Sequence, residues 1–388
     1  MRDILKQNPR VLTYLVLSNF LLFFGFRIWQ AMFNNFAVED LGVGAASIGL
    51  IQAVRELPGL LGFLIGFLAL WLSEVRIVGI SVILLGAGLM LTGRSESIPA
   101  LLVGTVIMSL GFHLFSPCNN GVALMVCDRD QAPRLLGQLG SLGAIAAAVA
   151  TGAVFFLADQ WGYRTLFMVA GAIIVVAGLA LLPMGNVKGG LPPKRRVVLR
   201  RRYWLYYGLA FLMGSRRHIF TTFAIFLLVQ KYGISVQTTA LLFFVNQIVN
   251  IFTMRMVGNL LGRFGERAML TLTFTVLAFV FVGYAFITFV PALFVLFVLD
   301  NIMFGFNMST STYFQKIAVT REEITSNLAV EQTINHIAAI IVPIVGGQVW
   351  EAFGSQVPFL AGAGIVLVSL ALTQFMRVPP AEPAPAAA

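Results

Sequence analysis

Run after run of this chain stays free of charge for the width of a membrane, as at residues 100–126 and 268–289. A helix needs about 20 apolar residues to cross the roughly 30 Å hydrocarbon layer, and lipid offers nothing to satisfy a backbone N–H or C=O. Such runs must therefore close their hydrogen bonds within helices. They are continuous instead of alternating, which excludes a β-barrel. Only 11% of the 388 residues are charged, where a soluble domain carries roughly a quarter, so most of the surface faces lipid. The expected fold is an all-α integral membrane protein of about twelve transmembrane helices. The spans are 11–38, 46–72, 76–94, 98–127, 134–158, 163–184, 204–230, 236–261, 267–289, 291–318, 323–350 and 356–377.

Short basic segments alternate with these spans. Arg2, Lys6 and Arg10 precede the first, a run from Lys194 to Arg202 lies in the longest loop, and Arg377 follows the last; only Arg94, Arg164 and Lys231 fall on the opposite side. The positive-inside rule therefore puts both termini in the cytoplasm, in agreement with an even number of spans, and the expected location is the cell (inner) membrane. Topology and contact with anionic lipids account for the net charge of +10, with no need of nucleic acid as a partner. The first span is too long for a signal-peptide core and lacks a small-residue cleavage site, so it is expected to stay in the mature protein. Cys118 and Cys127 share one expected helix and imply no disulfide framework. Gly189, Gly190, Pro192 and Pro193 mark residues 185–203 as a basic cytoplasmic linker. It separates a six-helix bundle at 1–184 from a second at 204–378, and the Ala/Pro-rich 379–388 is expected to be a disordered tail.

An internal repeat supports that division. A shift of about 190 residues sets Gly111-Phe112-His113 against Gly305-Phe306-Asn307, and Gly152 against Gly346. It also sets Gly162 with Phe167 against Gly354 with Phe359, and Gly25-Phe26-Arg27 against Gly214-Ser215-Arg216. Six spans per copy give both copies the same orientation, a parallel repeat about an axis along the membrane normal, with a substrate path where the copies meet.

The segment Gly258-Asn259-Leu260-Leu261-Gly262-Arg263-Phe264-Gly265-Glu266-Arg267 resembles the loop motif G-x-L-x-D-R-x-G-R-R of the major facilitator superfamily, which follows the second helix of each half. It departs at Gly262, where the family usually has Asp, and at Glu266, where it usually has a basic residue. The first-half copy keeps Gly66 and Leu68 but has Leu70 and Trp71 in place of the Asp and Arg, with Arg76 one position late. Gly162-Tyr163-Arg164 with Phe167 is a further family-like feature, and the resemblance covers essentially the whole chain. It implies two pseudo-symmetric bundles that move a solute by alternating access, with Gly258, Arg263 and Arg267 serving the gate.

A charged side chain at mid-bilayer costs at least about 2.5–3.5 kcal/mol, so each asks for a partner or a purpose. The first span carries Arg27 and Asn34, the seventh Arg216 and Arg217, and the repeat sets Arg27 opposite Arg216; His113 and Asn307 hold matching positions in spans four and ten. Guanidinium groups grip carboxylates and phosphates bidentately, so these six residues are expected to bind a small anionic organic solute. An arginine on the first helix and another on the seventh is also the arrangement of the superfamily's organophosphate antiporter branch. The competing reading pairs each arginine with an internal acid and merely ties helices together.

In Arg55-Glu56-Leu57-Pro58-Gly59 the adjacent charges point about 100° apart, so each is expected to meet a different neighbour, Arg55 in a gating ion pair. The Pro-Gly step suits a bend in a rocking element. A buried carboxyl without a compensating cation can load and release protons near neutral pH, which makes Glu56, Asp300, Glu331 and, further along the same span, His336 the candidates for proton coupling.

Arg216 and Arg217 adjoin His218 and would repel a divalent cation, so no metal and no other cofactor is expected. There is no GxxxxGK[ST] loop for ATP drive and no grouping suited to enzyme catalysis. The sequence reads as a proton-coupled secondary transporter of a carboxylate or phosphate ester, a monomer whose partners are that solute, protons and membrane lipids. The alternative is a drug or amphiphile/proton antiporter, suggested by 34 Phe and 14 Met. A transport-inactive receptor or scaffold would keep the fold but has no need of so many buried charges.

Overall fold

The computed structural model describes residues 9–68, 71–125, 127, 131–184 and 199–377. The tail at 379–388 and all but the last residues of the linker at 185–203 lie outside the described residues. Helix α1 (Pro9–Asn35) runs into a π-turn (Phe36–Asp40), then come α2 (Ala45–Leu60), a 3-10 turn (Leu61–Leu64), α3 (Ile65–Leu68), α4 (Glu74–Gly93) and α5 (Ile98–Met125). Next follow α6 (Ala132–Leu181), α7 (Trp204–Tyr232), α8 (Val236–Phe286), α9 (Val290–Gly305), α10 (Met308–Ile317), α11 (Arg321–Phe353) and α12 (Gln356–Thr373). Ten helices among the described residues are long and apolar enough to cross a membrane. One of them, Arg134–Met184, holds two expected spans, and the expected second span is the broken α2–α3 pair, so every expected span has its helix. Pro58 lies inside α2, one turn before the helix tightens to 3-10 geometry, where the Pro-Gly step predicts a bend.

Glycine decides where the long helices turn. Helix α6 breaks at Gly162 (φ 72°) and α8 at Gly265 (φ 77°), in a left-handed conformation that a Cβ would oppose. Four of the five positive-φ glycines among the described residues also fall into repeat pairs, Gly42 (φ 61°) with Gly233 (φ 60°) and Gly162 with Gly354 (φ 93°). At the first pair the hydrogen bonds recur as well. Gly42 N donates to Val38 O at 3.1 Å and Val43 N to Ala37 O at 2.9 Å, while Gly233 N donates to Val229 O at 3.0 Å and Ile234 N to Leu228 O at 3.2 Å. The first and seventh spans thus end in the same glycine cap. The duplication read from Gly and Phe spacing is repeated in the backbone.

The chain forms two compact units. The first joins Met1–Pro193 with Thr221–Ile248 and Ala339–Gly354, and the second joins Lys194–Phe220, Val249–Ala338 and Ser355–Ala388. In the first unit α4 lies along α5 and α6, α1 packs against α6, and α2 against α5. At the far end of α1 the π-turn presents Glu39 and Asp40 to the α6 break. Tyr163 OH donates to Glu39 Oε2 at 2.7 Å, Arg164 Nε donates to Asp40 Oδ2 at 3.1 Å, and the Arg164 guanidinium sits 5.3 Å from the Phe36 ring centre. The Gly-Tyr-Arg feature of the sequence therefore closes this end of the bundle. Asn35 adds a second tie, its Nδ2 donating to Ile234 O at 2.9 Å and to Glu39 Oε1 at 2.8 Å while Thr239 Oγ1 donates to its Oδ1 at 3.1 Å.

Helices α2 and α11 meet at the same end with no room to spare. A Cβ on Gly49 would stand 2.1 Å from Pro343 O, and one on Gly347 would stand 2.5 Å from Ala45 O. Backbone cannot yield as a side-chain tip can, so Gly49→Val must part the two helices, at a cost of about 1–3 kcal/mol to this closed end. Maleimide labelling of Thr239→Cys is expected to run faster in the Gly49→Val background than without it; an unchanged rate would show that the contact does not hold this end shut.

In the second unit three tyrosines of one helical stretch reach α11. Tyr203 OH donates to Glu323 Oε2 at 2.5 Å, Tyr207 OH to Asn327 Oδ1, and Tyr206 OH to Glu331 Oε2 at 2.6 Å. The acceptors recur every four residues and so share one helix face. Arg200 completes the ladder, with Nε 3.0 and 3.1 Å from the two Glu323 oxygens and Nη2 2.6 Å from Oε1. The hydrogen bond from Arg200, with that from Tyr203, holds the Glu323 carboxyl below the usual carboxylate range. A depressed carboxyl contributes stability that is fully present above its unfolded pKa of about 4.3 and is lost as pH falls through the folded value. The melting temperature of the wild type should thus exceed that of Glu323→Gln at pH 6, and the gap should close on acidification below about pH 4. A gap independent of pH would remove the ion pair from the account.

Candidate solute-binding and coupling site

Within the first unit, Arg27, Gln30 and Asn34 follow one another on α1 at i, i+3 and i+7, which puts them on one face. The Arg27 guanidinium carbon lies 5.4 Å from the centre of the Phe243 ring, a cation–π contact, and Arg27 has no ion pair among the described residues. Its Nε is buried without a hydrogen-bond partner, and so are Gln30 Oε1 and Asn34 Oδ1. On α8 the residues Thr239, Phe243 and Asn246 share a face at i, i+4 and i+7, and Asn246 Oδ1 is likewise buried and unpartnered. Arg27 and Asn34 were expected here. Gln30 and Asn246 were not expected to bind solute, although the three-residue step from Arg27 to Gln30 was visible in the sequence.

Arg55 and Glu56 do not go to separate neighbours as the sequence suggests. Arg55 folds back on Glu56, with Nη2 2.6 Å and Nε 3.2 Å from Oε1. Adjacent Cβ atoms diverge, but an arginine side chain is long enough to turn its head onto the next residue, and both groups are largely buried, where separation would leave two charges uncompensated. The guanidinium also lies 5.5 Å from the Trp29 ring centre. The other Glu56 oxygen faces His113 Nε2 at 3.8 Å, and His113 Nδ1 donates to Ser109 O at 3.0 Å. A carbonyl only accepts, so that bond assigns the Nδ1 proton. The structure therefore brings His113, expected among solute ligands, to Glu56, expected in coupling.

In the second unit Arg216 is fully buried and donates from Nη1 to Asp300 Oδ1 at 2.9 Å and from Nη2 to Asn307 Oδ1 at 3.4 Å. For this arginine, pairing with an internal acid is what the geometry shows. Arg217 lies 4.5 Å from the centre of the Phe304 ring. Glu331 accepts from the Tyr206 hydroxyl and has no ion pair among the described residues, and His336 is buried on the same helix. A hydroxyl can donate to a carboxylate or accept from a carboxylic acid, so the Glu331 surroundings suit both protonation states. In the loop motif the ion pair falls on Glu266, whose Oε1 lies 2.7 Å from Lys316 Nζ. Arg267 Nη2 donates to Gln374 Oε1 at 3.2 Å, Arg263 rests 5.2 Å from the Phe264 ring centre, and a Cβ on Gly258 would meet open space. Sequence reasoning marked Glu266 as a departure from the motif but gave it no partner; the carboxylate in place of a basic residue was the signal.

The family model described as Major Facilitator Superfamily matches residues 15–330. A sequence search of the curated proteins finds no match. Among solved structures, a mutant of the nucleoside transporter NupG is similar with a TM-score of 0.80 at 18% identity, over 94% of this chain and 99% of that one. The unmutated NupG structure gives 0.78 at 18% identity, over 94% and 98%. A bacterial homolog to the human lysosomal transporter Spinster, inward-facing and unoccupied, gives 0.76 at 15% identity, over 95% and 96%. At such identities the likeness speaks for the fold alone.

Proposed function

Because the chain belongs to the Major Facilitator Superfamily, as a multi-pass secondary transporter and not an enzyme, we propose that it carries a small anionic organic solute, a carboxylate or phosphate ester, in exchange with or alongside protons. The observation that carries this reading is Arg27. It is a guanidinium in the membrane interior with an aromatic ring on one side, no acid paired to it among the described residues, and a buried N–H left without an acceptor. A fixed cation in low dielectric is costly, and a carboxylate or phosphate supplied by the solute offsets that cost through charge-assisted hydrogen bonds. Coupling is assigned to the Arg216–Asp300 pair, since a proton on Asp300 dissolves the ion pair and frees Arg216. The distribution of basic residues supports cytoplasmic termini in the cell membrane, and the working unit is a monomer.

An apolar recess of about 680 Å³ lined by Leu57, Pro58, Leu61, Ile65, Trp71 and Leu110 favours the second reading, transport of an amphiphile. Its lining is almost wholly apolar, which supports lipid-chain contact there instead. Uptake of carboxylates, phosphate monoesters and a neutral amphiphile into proteoliposomes, with and without a pH gradient, separates the readings. Anion uptake that responds to the gradient is expected; amphiphile uptake alone would overturn the proposal.

A further inference from the structure

We propose that Gln30, Asn34 and Asn246 form a hydrogen-bonding site for the body of the solute, so that the transported anion carries hydroxyl or amide groups and is not a simple alkyl carboxylate or alkyl phosphate. This rests on the anion reading of Arg27. Gln30 and Asn34 stand about 4.5 and 10.5 Å along α1 from Arg27, at 1.5 Å of rise per residue. Asn246 stands one turn along α8 from Phe243, the ring that covers the Arg27 guanidinium. All four side chains belong to the first unit, and each has a buried polar atom with no partner. Asn35 supplies the contrast. It is the neighbour of Asn34 in sequence, yet both ends of its amide are satisfied by Ile234, Glu39 and Thr239. Asn35 is thus an amide that fastens helices, whereas the Asn34 oxygen beside it is buried with no such partner, on the same face as Arg27. A carboxamide offers a donor and an acceptor whichever way its end is turned, so its complement is a group that can both give and take a hydrogen bond. An alkyl chain in the same place would leave the amide oxygens buried and unpaired, and sites of that kind reject the analogue that lacks the polar groups more strongly than apolar pockets reject an added methylene.

The test uses the full chain in proteoliposomes and solute pairs with the same charged group, glycerol phosphate against propyl phosphate and gluconate against hexanoate. Wild type is expected to favour the hydroxylated member of each pair by about tenfold or more. Gln30→Met, Asn34→Leu and Asn246→Leu should each lower that preference by about threefold to tenfold, while the flux of the alkyl member holds. The preference is a ratio within one preparation, so a loss of folded protein cancels from it. Equal transport of both members by wild type, or variants that lower both fluxes in parallel, overturns the proposal and leaves the anion reading in place. Failure of wild type to move any of the four anions overturns both.

Discussion

Arg27→Ala is expected to lower organic-anion uptake by about a hundredfold or more while leaving the melting temperature within a few degrees of wild type. The first effect follows from removing one member of a desolvated charge pair, where truncation costs several kcal/mol of binding. The second follows from what Arg27 touches in the protein, which is a ring face and no acid among the described residues. An arginine that served to tie helices would behave in the opposite way, since its loss would strand a buried carboxylate and the protein would melt early. Arg27→Lys should recover part of the activity, because it keeps the charge and loses the planar fork. Uptake at the wild-type rate in Arg27→Ala would remove the residue from the solute path.

Asp300→Asn should show the reverse pattern. Arg216 has no exposed surface, so the substitution leaves a fully buried guanidinium facing a neutral amide, and the expected loss of stability is about 3–5 kcal/mol. Adding Arg216→Gln to Asp300→Asn should return most of that loss, since removing both charges costs less than removing one. The double variant should also transport without response to a pH gradient, because the proton-dissolved pair no longer exists. A stable single variant that still follows the gradient would show that Asp300 is neither a structural partner nor the proton carrier, and Glu331 in its hydroxyl surroundings would take its place.

Much of this architecture is legible in the amino-acid sequence, because membrane insertion is decided by local properties. Uncharged runs of the right length must be helices, and basic loops bias which side they face. The duplication was also visible at Gly111 and Gly305 or Gly162 and Gly354, although its firmest marks, Gly42 and Gly233 at matching helix caps, needed the backbone angles. The site was legible in part. Arg27, Arg216 and Asp300 stand out as charges in apolar helices, yet the joining of Arg216 to Asp300 spans 84 residues and depends on which faces of two helices meet. Hydropathy carries no information on that. Arg55 and Glu56 went astray for another reason, since Cβ directions describe short side chains well and a four-bond arginine poorly. Gln30 is polar without being charged, and only the absence of a partner for its oxygen distinguishes it from an ordinary helix-facing amide.

The most direct measurement is counterflow of a labelled phosphate monoester, run beside a neutral amphiphile, in liposomes of wild type and of Arg27→Ala prepared to equal folded content. Counterflow of the anion in wild type, its loss in Arg27→Ala and no counterflow of the amphiphile in either is the result predicted. Anion counterflow that survives Arg27→Ala unchanged, or amphiphile counterflow in its place, would contradict the account.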